Sequence, residues 1–272
     1  MHRQSLLMFV LMIGLASTGF GQRQQQTHEE EGADGDATTA CQSTFTSGTN
    51  QTFFQFCTTI NGNVAEFQSP AKEEHIRIGT IFEGYGICDF DSLIRYFDWA
   101  AFDSGNWQAS VLNQPNGPST FPLTITRTTS DGIYTLTQVF ARDTVEPSAN
   151  IKMTLKNNTA AAHDFALVRY ADIDANNGNG GNFKNEFDFT HDAAFGYNSG
   201  FNLNGVMLFA VPSNTTRFAF VQNIPDPPDP CGPVNNLPPT TPFFGDGSVG
   251  YDWNGTLGAH KSLTVTGEYR RF

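Results

Sequence analysis

Residues 121–142, with the sequence FPLTITRTTSDGIYTLTQVFAR, decide the fold class of this chain. Apolar residues alternate with threonines and other polar residues on both sides of residues 130–132 (SDG), and this period of two is typical of half-buried β-strands. A short glycine-containing segment between two such strands predicts a β-hairpin. Asn61-Gly62 lies between two further extended stretches and predicts a second hairpin, because its turn requires positive φ at both central residues.

The strand pattern continues along the chain, and no stretch has a convincing amphipathic helix pattern. We count about 11 or 12 strands at short spacing, which predicts an all-β fold with little or no helix, either a sandwich or a barrel. The strand that begins at His163 is apolar on both faces, with Phe165 and Leu167 on one face and Val168 and Tyr170 on the other. We therefore expect this strand to be central and covered on both sides.

Composition and charge narrow the function classes. The chain has 272 residues, with 15 Lys+Arg against 27 Asp+Glu and a formal net charge of −12. This acidic balance argues against nucleic-acid binding, which needs clustered basic residues to neutralise phosphates. No G-x-S-x-G or H-E-x-x-H motif occurs, so nucleophilic hydrolases with that motif and zinc proteases are disfavoured.

The N-terminal residues predict export. A basic start, an apolar run at residues 6–15 and small residues up to Gly21 indicate a signal peptide over residues 1–21. The run is shorter than the ~20 residues that span a bilayer, so we expect no membrane span after the signal is removed. The predicted location is secreted, either extracellular or periplasmic. The composition of residues 22–40 predicts a disordered acidic tail. Residues 41–272 are predicted to form a single β-sandwich domain.

Four cysteines remain in the exported chain, an even number that favours two disulfides with three possible pairings. We favour Cys41–Cys57, which brackets a short segment that ends in a strand. The second pair is then Cys88–Cys231, which would tie the proline-rich segment 225–242 to a sheet and close a long loop. No two cysteines have C-x-x-C spacing, which argues against a zinc site or a redox motif.

Four segments have a resemblance to a known family. They are YTLTQVF at residues 134–140, IKMTLKNNT at 151–159, FALVRYAD at 165–172 and KSLTVTGEY at 261–269. These segments resemble the long-strand core and the closing strand of the supersandwich folds of galactose-mutarotase-like proteins. The resemblance implies a large antiparallel β-sandwich. No residue here matches the catalytic His and Glu of the mutarotases, so the resemblance implies architecture and leaves the function open.

A loop rich in Asp, Asn and Gly follows the strand that begins at His163. Oxygen-bearing side chains at alternate positions before a glycine-rich turn are suited to a hard cation such as Ca²⁺. The predicted calcium ligands are Asp172, Asp174, Asn176, Asp188 and Asp192. The alternative is a loop of Asx turns, in which the same side chains bond to their own backbone and hold no metal.

A second acidic group is interleaved with aromatic residues. Its carboxylates are those of Glu83, Asp89, Asp91 and Asp98. Two carboxylates beside aromatic rings are what a glycosidase uses as acid and as base or nucleophile around a stacked sugar. Acidic residues on the solvent faces of strands explain the pattern equally well. Isolated histidines such as His163 are interpreted as surface or core residues, because the sequence gives them no partner in space.

Trp107, Tyr251 and Trp253 lie among turn-forming residues, where side chains tend to be exposed. Exposed aromatic rings indicate binding more than packing, and aromatic faces pack on the C–H surfaces of sugars. These three residues are therefore predicted to form a glycan-binding platform, with membership of the phenylalanine-rich core as the competing explanation.

The sequence thus supports two functions. The first is a non-catalytic exported module with a binding or structural role, which binds glycan and contains a structural calcium loop. Its partner would be a polysaccharide or another cell-surface component, and no cofactor other than Ca²⁺ is expected. The alternative is a carbohydrate-active enzyme, a lyase, epimerase or hydrolase, on a supersandwich fold. No catalytic residue can be assigned from the sequence.

Overall fold

A computed structural model describes the part of the chain that forms the sheets. The described residues are 40–76, 83–101, 103–142, 148–173, 175, 183–188, 193–198, 205–210, 216–222, 227–232, 243–244 and 248–271. The predicted signal peptide, nearly all of the predicted acidic tail and most of the proline-rich segment lie outside these residues.

Within the described residues the chain forms seventeen strands and one short 3₁₀ turn at Asn50–Thr52. The strands are β1 (Ser43–Ser47), β2 (Phe54–Thr58), β3 (Val64–Gln68), β4 (Glu83–Asp89), β5 (Ile94–Asp98), β6 (Val111–Asn113), β7 (Leu123–Thr128), β8 (Tyr134–Arg142), β9 (Ser148–Asn157), β10 (His163–Asp172), β11 (Phe183–Asp188), β12 (Ala193–Asn198), β13 (Gly205–Ala210), β14 (Thr216–Gln222), β15 (Phe243–Phe244), β16 (Ser248–Leu257) and β17 (Ser262–Arg271). The excess over the predicted number comes partly from strands such as β6 and β15, which have three and two residues and are too short to show an alternation.

The strands form three antiparallel sheets. The small sheet has the order β1-β2-β3, the five-stranded sheet has the order β14-β16-β10-β4-β5, and the nine-stranded sheet has the order β15-β11-β12-β13-β17-β9-β8-β7-β6. Both predicted hairpins are present, since β2 pairs with β3 and β7 pairs with β8. The prediction of an all-β antiparallel sandwich is confirmed.

Alternation along each strand explains the core. In β8, Tyr134, Leu136 and Phe140 are buried, whereas Thr135 and Thr137 point to the other face and are partly exposed. Burial of the apolar face provides the main driving force for pairing such strands. The inward side chains of all three sheets join one hydrophobic core.

β10 is the central strand of the five-stranded sheet, paired with β16 on one side and β4 on the other. Phe165 and Leu167 belong to the main core, while Val168 and Tyr170 pack with Trp99 in a second cluster. The prediction that this strand is central and covered on both faces is confirmed.

Both predicted disulfides are present, Cys41–Cys57 and Cys88–Cys231. The second joins β4 to the proline-rich segment across 143 residues of sequence. Two disulfides are typical of proteins that fold outside the reducing cytosol. In the part of the chain that the structure describes, no helix has the length and apolar character needed to cross a membrane.

Candidate functional site

The aromatic residues predicted as a glycan platform are buried. Tyr251 and Trp253 lie within β16, expose none of their surface and stack with ring centroids 5.6 Å apart. Trp107 is 8% exposed, and its indole N–H donates to the Phe97 carbonyl at 3.1 Å. The expectation that these rings are exposed is therefore wrong. β16 pairs with β10 and β14 through residues 251–255, and this pairing outweighs the local preference of YDWNG for a turn.

Only part of the predicted calcium loop can be described. Asp172 is the last residue of β10 and is 8% exposed. Asp188 is the last residue of β11. Asp174, Asn176 and Asp192 lie outside the described residues, so the calcium loop stays a prediction.

The second acidic group divides between the interior and one end of the five-stranded sheet. Glu83 and Asp98 are fully buried, each against an arginine. Glu83 Oε1 lies 2.6 Å from Arg169 Nη2 and accepts the Tyr269 hydroxyl at 2.6 Å. Asp98 Oδ2 lies 2.6 Å from Arg127 Nη1. Burial raises the pKa of Asp98 to about 6, and the Arg127 charge limits this rise.

The Asn61-Gly62 turn is hydrogen-bonded to side chains around these buried ion pairs. The Asn61 carbonyl accepts the Tyr85 hydroxyl at 2.8 Å and Gln138 Nε2 at 3.2 Å. The Gly62 carbonyl accepts Arg169 Nη2 at 3.2 Å. Tyr85 and Arg169 belong to the five-stranded sheet and Gln138 belongs to the nine-stranded sheet. The buried ion pairs therefore connect the hairpin of the small sheet to both larger sheets, and they face no solvent.

The other two carboxylates meet a histidine where β4 ends and β10 begins. Asp89 is the last residue of β4, Asp91 lies in the following turn, and His163 is the first residue of β10. His163 Nδ1 lies 3.0 Å from Asp89 Oδ2 and 3.8 Å from Asp91 Oδ2. We call Asp89, Asp91 and His163 the Asp-His cluster. Their ligand atoms all lie within 4.8 Å of one another, close enough to hold one metal ion.

The Asp-His cluster is partly open to solvent and carries excess negative charge. The side chains of Asp91 and His163 are 54% and 15% exposed, whereas that of Asp89 is fully buried. Asp164 adjoins the cluster, because its backbone N–H donates to Asp91 Oδ2 at 3.1 Å. Among the described residues, no lysine or arginine forms an ion pair with these three aspartates.

The far side of the His163 ring contacts a hydroxyl. His163 Nε2 lies 3.1 Å from Thr159 Oγ1, and that hydroxyl donates to Asn157 Oδ1 at 2.8 Å. Asp89, His163 and Thr159 thus follow the order of an acid, a base and a hydroxyl in a nucleophilic hydrolase. The Thr159 hydroxyl is already engaged, because it also accepts the Ala161 N–H at 3.3 Å. The arrangement therefore orients the imidazole and does not present a free nucleophile.

The Tyr134 side chain lies against the Asp-His cluster. Its ring packs edge to face on the His163 ring, with centroids 5.8 Å apart. Tyr134 is fully buried, and its hydroxyl oxygen has no hydrogen-bond partner among the described residues. Burial and then the negative charges of Asp89, Asp91, Asp131 and Asp164 raise the pKa of this hydroxyl. The hydroxyl therefore lies within the electric field of the cluster.

An exposed turn adjoins the Asp-His cluster. We call residues 90–94 the β4–β5 tip. Phe90, Leu93 and Ile94 are 37%, 63% and 37% exposed, whereas most large apolar side chains among the described residues are buried. The Phe90 N–H donates to the Asp164 carbonyl at 2.8 Å, which anchors the tip to the start of β10. The tip thus presents an aromatic ring to solvent beside the carboxylates of the cluster.

Sequence reasoning missed the Asp-His cluster, although each of its members was noticed separately. His163 and Asp89 are 74 residues apart, and they meet because Phe165 pairs with Asp89 across β10 and β4. The available signal was an Asp-x-Asp at the end of one extended stretch and a His-Asp at the start of another. That signal indicates a site only when the antiparallel pairing of these two strands is known.

Comparison with known proteins adds information about the fold. No family model matches the chain, and a search of curated proteins finds no match. Among solved structures, a bacterial glucoamylase complexed with acarbose is similar, with a TM-score of 0.58 and 11% sequence identity. The similarity covers 86% of this chain and 32% of the glucoamylase chain, so this chain spans about a third of that enzyme's length. At this identity the similarity shows the fold alone, and it confirms the architecture-level resemblance to large supersandwich folds.

Proposed function

We propose that the chain is an exported β-sandwich module that binds a carbohydrate polymer at the β4–β5 tip without cleaving it. The main supporting observation is the position of Phe90, an exposed aromatic ring with a carboxylate residue on each side in the sequence. An aromatic face packs on the C–H surface of a sugar, and a few well-placed polar groups orient a ligand through its hydroxyls. Asp91, 54% exposed, is one such group.

The architecture supports a carbohydrate ligand. The chain shares its fold with a segment that makes up about a third of a glucoamylase, a carbohydrate-acting enzyme. This similarity supports a carbohydrate as the ligand that binds at the exposed tip. The two disulfides support a location outside the cytosol.

The interior carboxylates support binding without cleavage. A glycosidase needs two carboxylates on either side of the glycosidic bond, in contact with substrate. Glu83 and Asp98 are fully buried and are engaged by Arg169 and Arg127. Glu83 and Asp98 belong to the acidic group that suggested catalysis, but their role is to stabilise the fold.

Affinity electrophoresis tests the proposal. The purified chain is run through gels that contain starch, β-glucan, xylan, mannan or pectin, and we expect retardation by at least one of them. Phe90→Ala should weaken that retardation about tenfold or more, since it removes the stacking surface of a binding hot spot. Val111→Ala is the matched control, because Val111 is an exposed apolar residue on β6, and it should bind as the parent does.

The same polysaccharides decide between binding and catalysis. We expect no new reducing ends or unsaturated products after incubation with the chain. Product release would replace the proposal with the alternative of a carbohydrate-active enzyme. If no polysaccharide retards the chain, or if Phe90→Ala binds like the parent, carbohydrate binding at the tip is refuted.

We also propose that the loop after β10 holds a structural Ca²⁺ through Asp172, Asp174, Asn176, Asp188 and Asp192. The support is the spacing of oxygen ligands before a glycine-rich turn. The melting temperature should rise in millimolar Ca²⁺ and fall with a chelator. Asp172→Ala should abolish this difference. If the melting temperature of the parent chain does not change with Ca²⁺ or chelator, the calcium proposal is refuted.

A further inference from the structure

We propose that the Asp-His cluster binds one divalent transition-metal ion, with Zn²⁺ as the best fit, through Asp89 Oδ2, Asp91 Oδ2 and His163 Nδ1. This site is separate from the predicted calcium loop and does not depend on carbohydrate binding. The proposal rests on the contacts of the two His163 ring nitrogens, on the closeness of the three ligand atoms, and on the buried Tyr134 hydroxyl.

The hydrogen bonds behind His163 determine which ring nitrogen is available. Asn157 Nδ2 donates to the carbonyls of Ala161, Leu257 and Gly258 at 2.7, 3.0 and 3.2 Å. The amide oxygen of Asn157 is therefore the acceptor for the Thr159 hydroxyl. That hydroxyl donates to Asn157 Oδ1 or to the Ala161 carbonyl at 3.1 Å, and it lies 3.1 Å from His163 Nε2. The nitrogen that faces the carboxylates is therefore Nδ1.

His163 Nδ1 faces two carboxylate oxygens, and in the tautomer that is protonated at Nε2 it has a free lone pair. In that tautomer, three lone-pair-bearing atoms converge, namely His163 Nδ1, Asp89 Oδ2 and Asp91 Oδ2. Such a convergence repels unless a positive charge lies between the atoms. A metal cation satisfies all three at once, and its competitor is a proton on Nδ1, which would donate to Asp89 Oδ2 at 3.0 Å.

The two separations measured from His163 Nδ1 fit a tetrahedral ion with short bonds. Two ligands at about 2.1 Å from a tetrahedral Zn²⁺ lie about 3.4 Å apart. The observed distances from His163 Nδ1 to Asp89 Oδ2 and Asp91 Oδ2 are 3.0 and 3.8 Å, on either side of that value. An imidazole ligand favours Zn²⁺ and its first-row neighbours over Ca²⁺, which takes oxygen ligands.

Each proposed ligand is already oriented by a second contact. Asp89 Oδ1 accepts the Asp91 N–H at 3.0 Å, and Asp91 Oδ2 accepts the Asp164 N–H at 3.1 Å. His163 is held through Nε2 by Thr159 at 3.1 Å. Partners of this kind orient the first ligands of a metal site and contribute to its affinity.

The buried Tyr134 hydroxyl is an observation independent of the three ligand atoms. A fully buried hydroxyl without a partner is costly in a folded protein. Tyr134 packs on the His163 ring and lies within the field of the cluster carboxylates. A water molecule bound to the metal at its fourth position would supply the partner that this hydroxyl lacks.

Isothermal titration of the chelator-treated chain with ZnCl₂ tests the site. We expect one ion bound at this site and a higher melting temperature in its presence. Asp91→Asn and His163→Ala should each weaken this binding by about tenfold or more. Asp164→Asn is the matched control, because it removes a neighbouring charge whose carboxylate accepts the Thr256 hydroxyl and is not a ligand. It should change the affinity by less than about threefold.

Tyr134→Phe keeps all three ligands and removes only the buried hydroxyl. It should weaken zinc binding severalfold while the number of bound ions stays unchanged. A chain that binds no Zn²⁺ refutes the proposal and leaves the Asp-His cluster as a structural hydrogen-bonded group. Zinc binding that survives unchanged in both Asp91→Asn and His163→Ala refutes it equally, because the ion then lies elsewhere.

Discussion

Arg169 and Glu83 form an ion pair in which Nη2 lies 2.6 Å from Oε1, although neither side chain exposes any surface to solvent. Burial alone would lower the pKa of Arg169, but the Glu83 carboxylate holds it above its ordinary value. The guanidinium also donates to Gln138 Oε1 at 2.6 Å and to the Gly62 carbonyl. The pair thus links β10, β4 and β8 with the turn of the small sheet.

Glu83→Gln should destabilise the fold strongly, because it leaves the Arg169 charge buried and uncompensated. We expect the free energy of unfolding to fall by about 3–5 kcal/mol, measured by guanidinium denaturation. The double variant Glu83→Gln with Arg169→Met removes both charges and should recover part of this loss. A cost below about 1 kcal/mol for the single variant would contradict the description of the pair as a buried junction.

Gly62→Ala should cost more than the same change at Gly132. Both glycines have positive φ, +92° and +79°, so both substitutions strain the backbone. A methyl at Gly132 meets nothing within 4 Å, whereas one at Gly62 would lie 2.5 Å from Gln138 Nε2. Thermal or chemical denaturation should show an additional loss of about 1–3 kcal/mol at Gly62. Equal losses would show that the Gln138 side chain moves aside without cost.

The two disulfides should contribute unequally. Cys88 and Cys231 are separated by 143 residues, but Cys41 and Cys57 by only 16. Loop-closure entropy assigns about 5 kcal/mol to the longer loop and about 3 kcal/mol to the shorter one. Paired Cys→Ser replacement followed by calorimetry should therefore lower the melting temperature more for Cys88–Cys231.

A surface ion pair lies next to the longer disulfide but is too weak to compensate for its loss. Asp229 Oδ1 and Oδ2 accept Arg95 Nε and Nη2 at 2.7 and 2.9 Å, next to Cys231. The exposed pair contributes about 0.2–1 kcal/mol, which cannot replace the disulfide. A larger drop in melting temperature after removal of Cys41–Cys57 would contradict the ranking.

Stability should fall between pH 6.5 and 8 because of Glu74. Burial raises the pKa of Glu74 from 4.5 to about 8, although its carboxylate accepts the backbone N–H groups of Phe67 and Ile76. A raised carboxyl pKa means that the folded state binds the proton more tightly. Its contribution is complete below pH 4.5 and is lost as the pH rises through about 8.

The neighbouring His75 acts in the opposite direction at lower pH. Burial lowers the pKa of His75 from 6.5 to about 4, so its contribution is complete above pH 6.5 and is lost as the pH falls. Of these two residues, only Glu74 therefore titrates appreciably between pH 6.5 and 8. Glu74→Gln should flatten the decline of melting temperature over that range, and Glu73→Gln should keep the parent's slope. An unchanged slope in Glu74→Gln would contradict the assignment.

Local pattern was sufficient to predict many of the strands, both hairpins and the double-sided burial of β10. Alternation in residues 134–142 reports directly on which face of β8 is buried, so a single sequence contains that information. Tyr251 and Trp253 were misjudged because the pairing of β16 with two neighbours overrides a turn-like composition. Long-range contacts, not local preferences, determine whether such a segment is a turn.

The candidate site could not be predicted for a related reason. His163 and Asp89 become neighbours only through the register of β10 on β4. The sequence identifies the chemical character of each residue but not the strand that lies beside it. Glu83 and Asp98 illustrate the same limit, since their arginine partners come from strands far along the chain.

The buried Asn61-Gly62 turn has a chemical consequence for ageing of the protein. In an open chain the nitrogen that follows an asparagine attacks its side-chain amide, and glycine at that position hinders the attack least. Here the Gly62 N–H donates to the Thr59 carbonyl at 3.2 Å, and Asn61 is fully buried. Deamidation therefore requires the hairpin to leave the interior. The fraction of molecules with aspartate at position 61 would therefore increase with the time that the hairpin has spent outside the interior. The new negative charge would hinder the hairpin from packing there again.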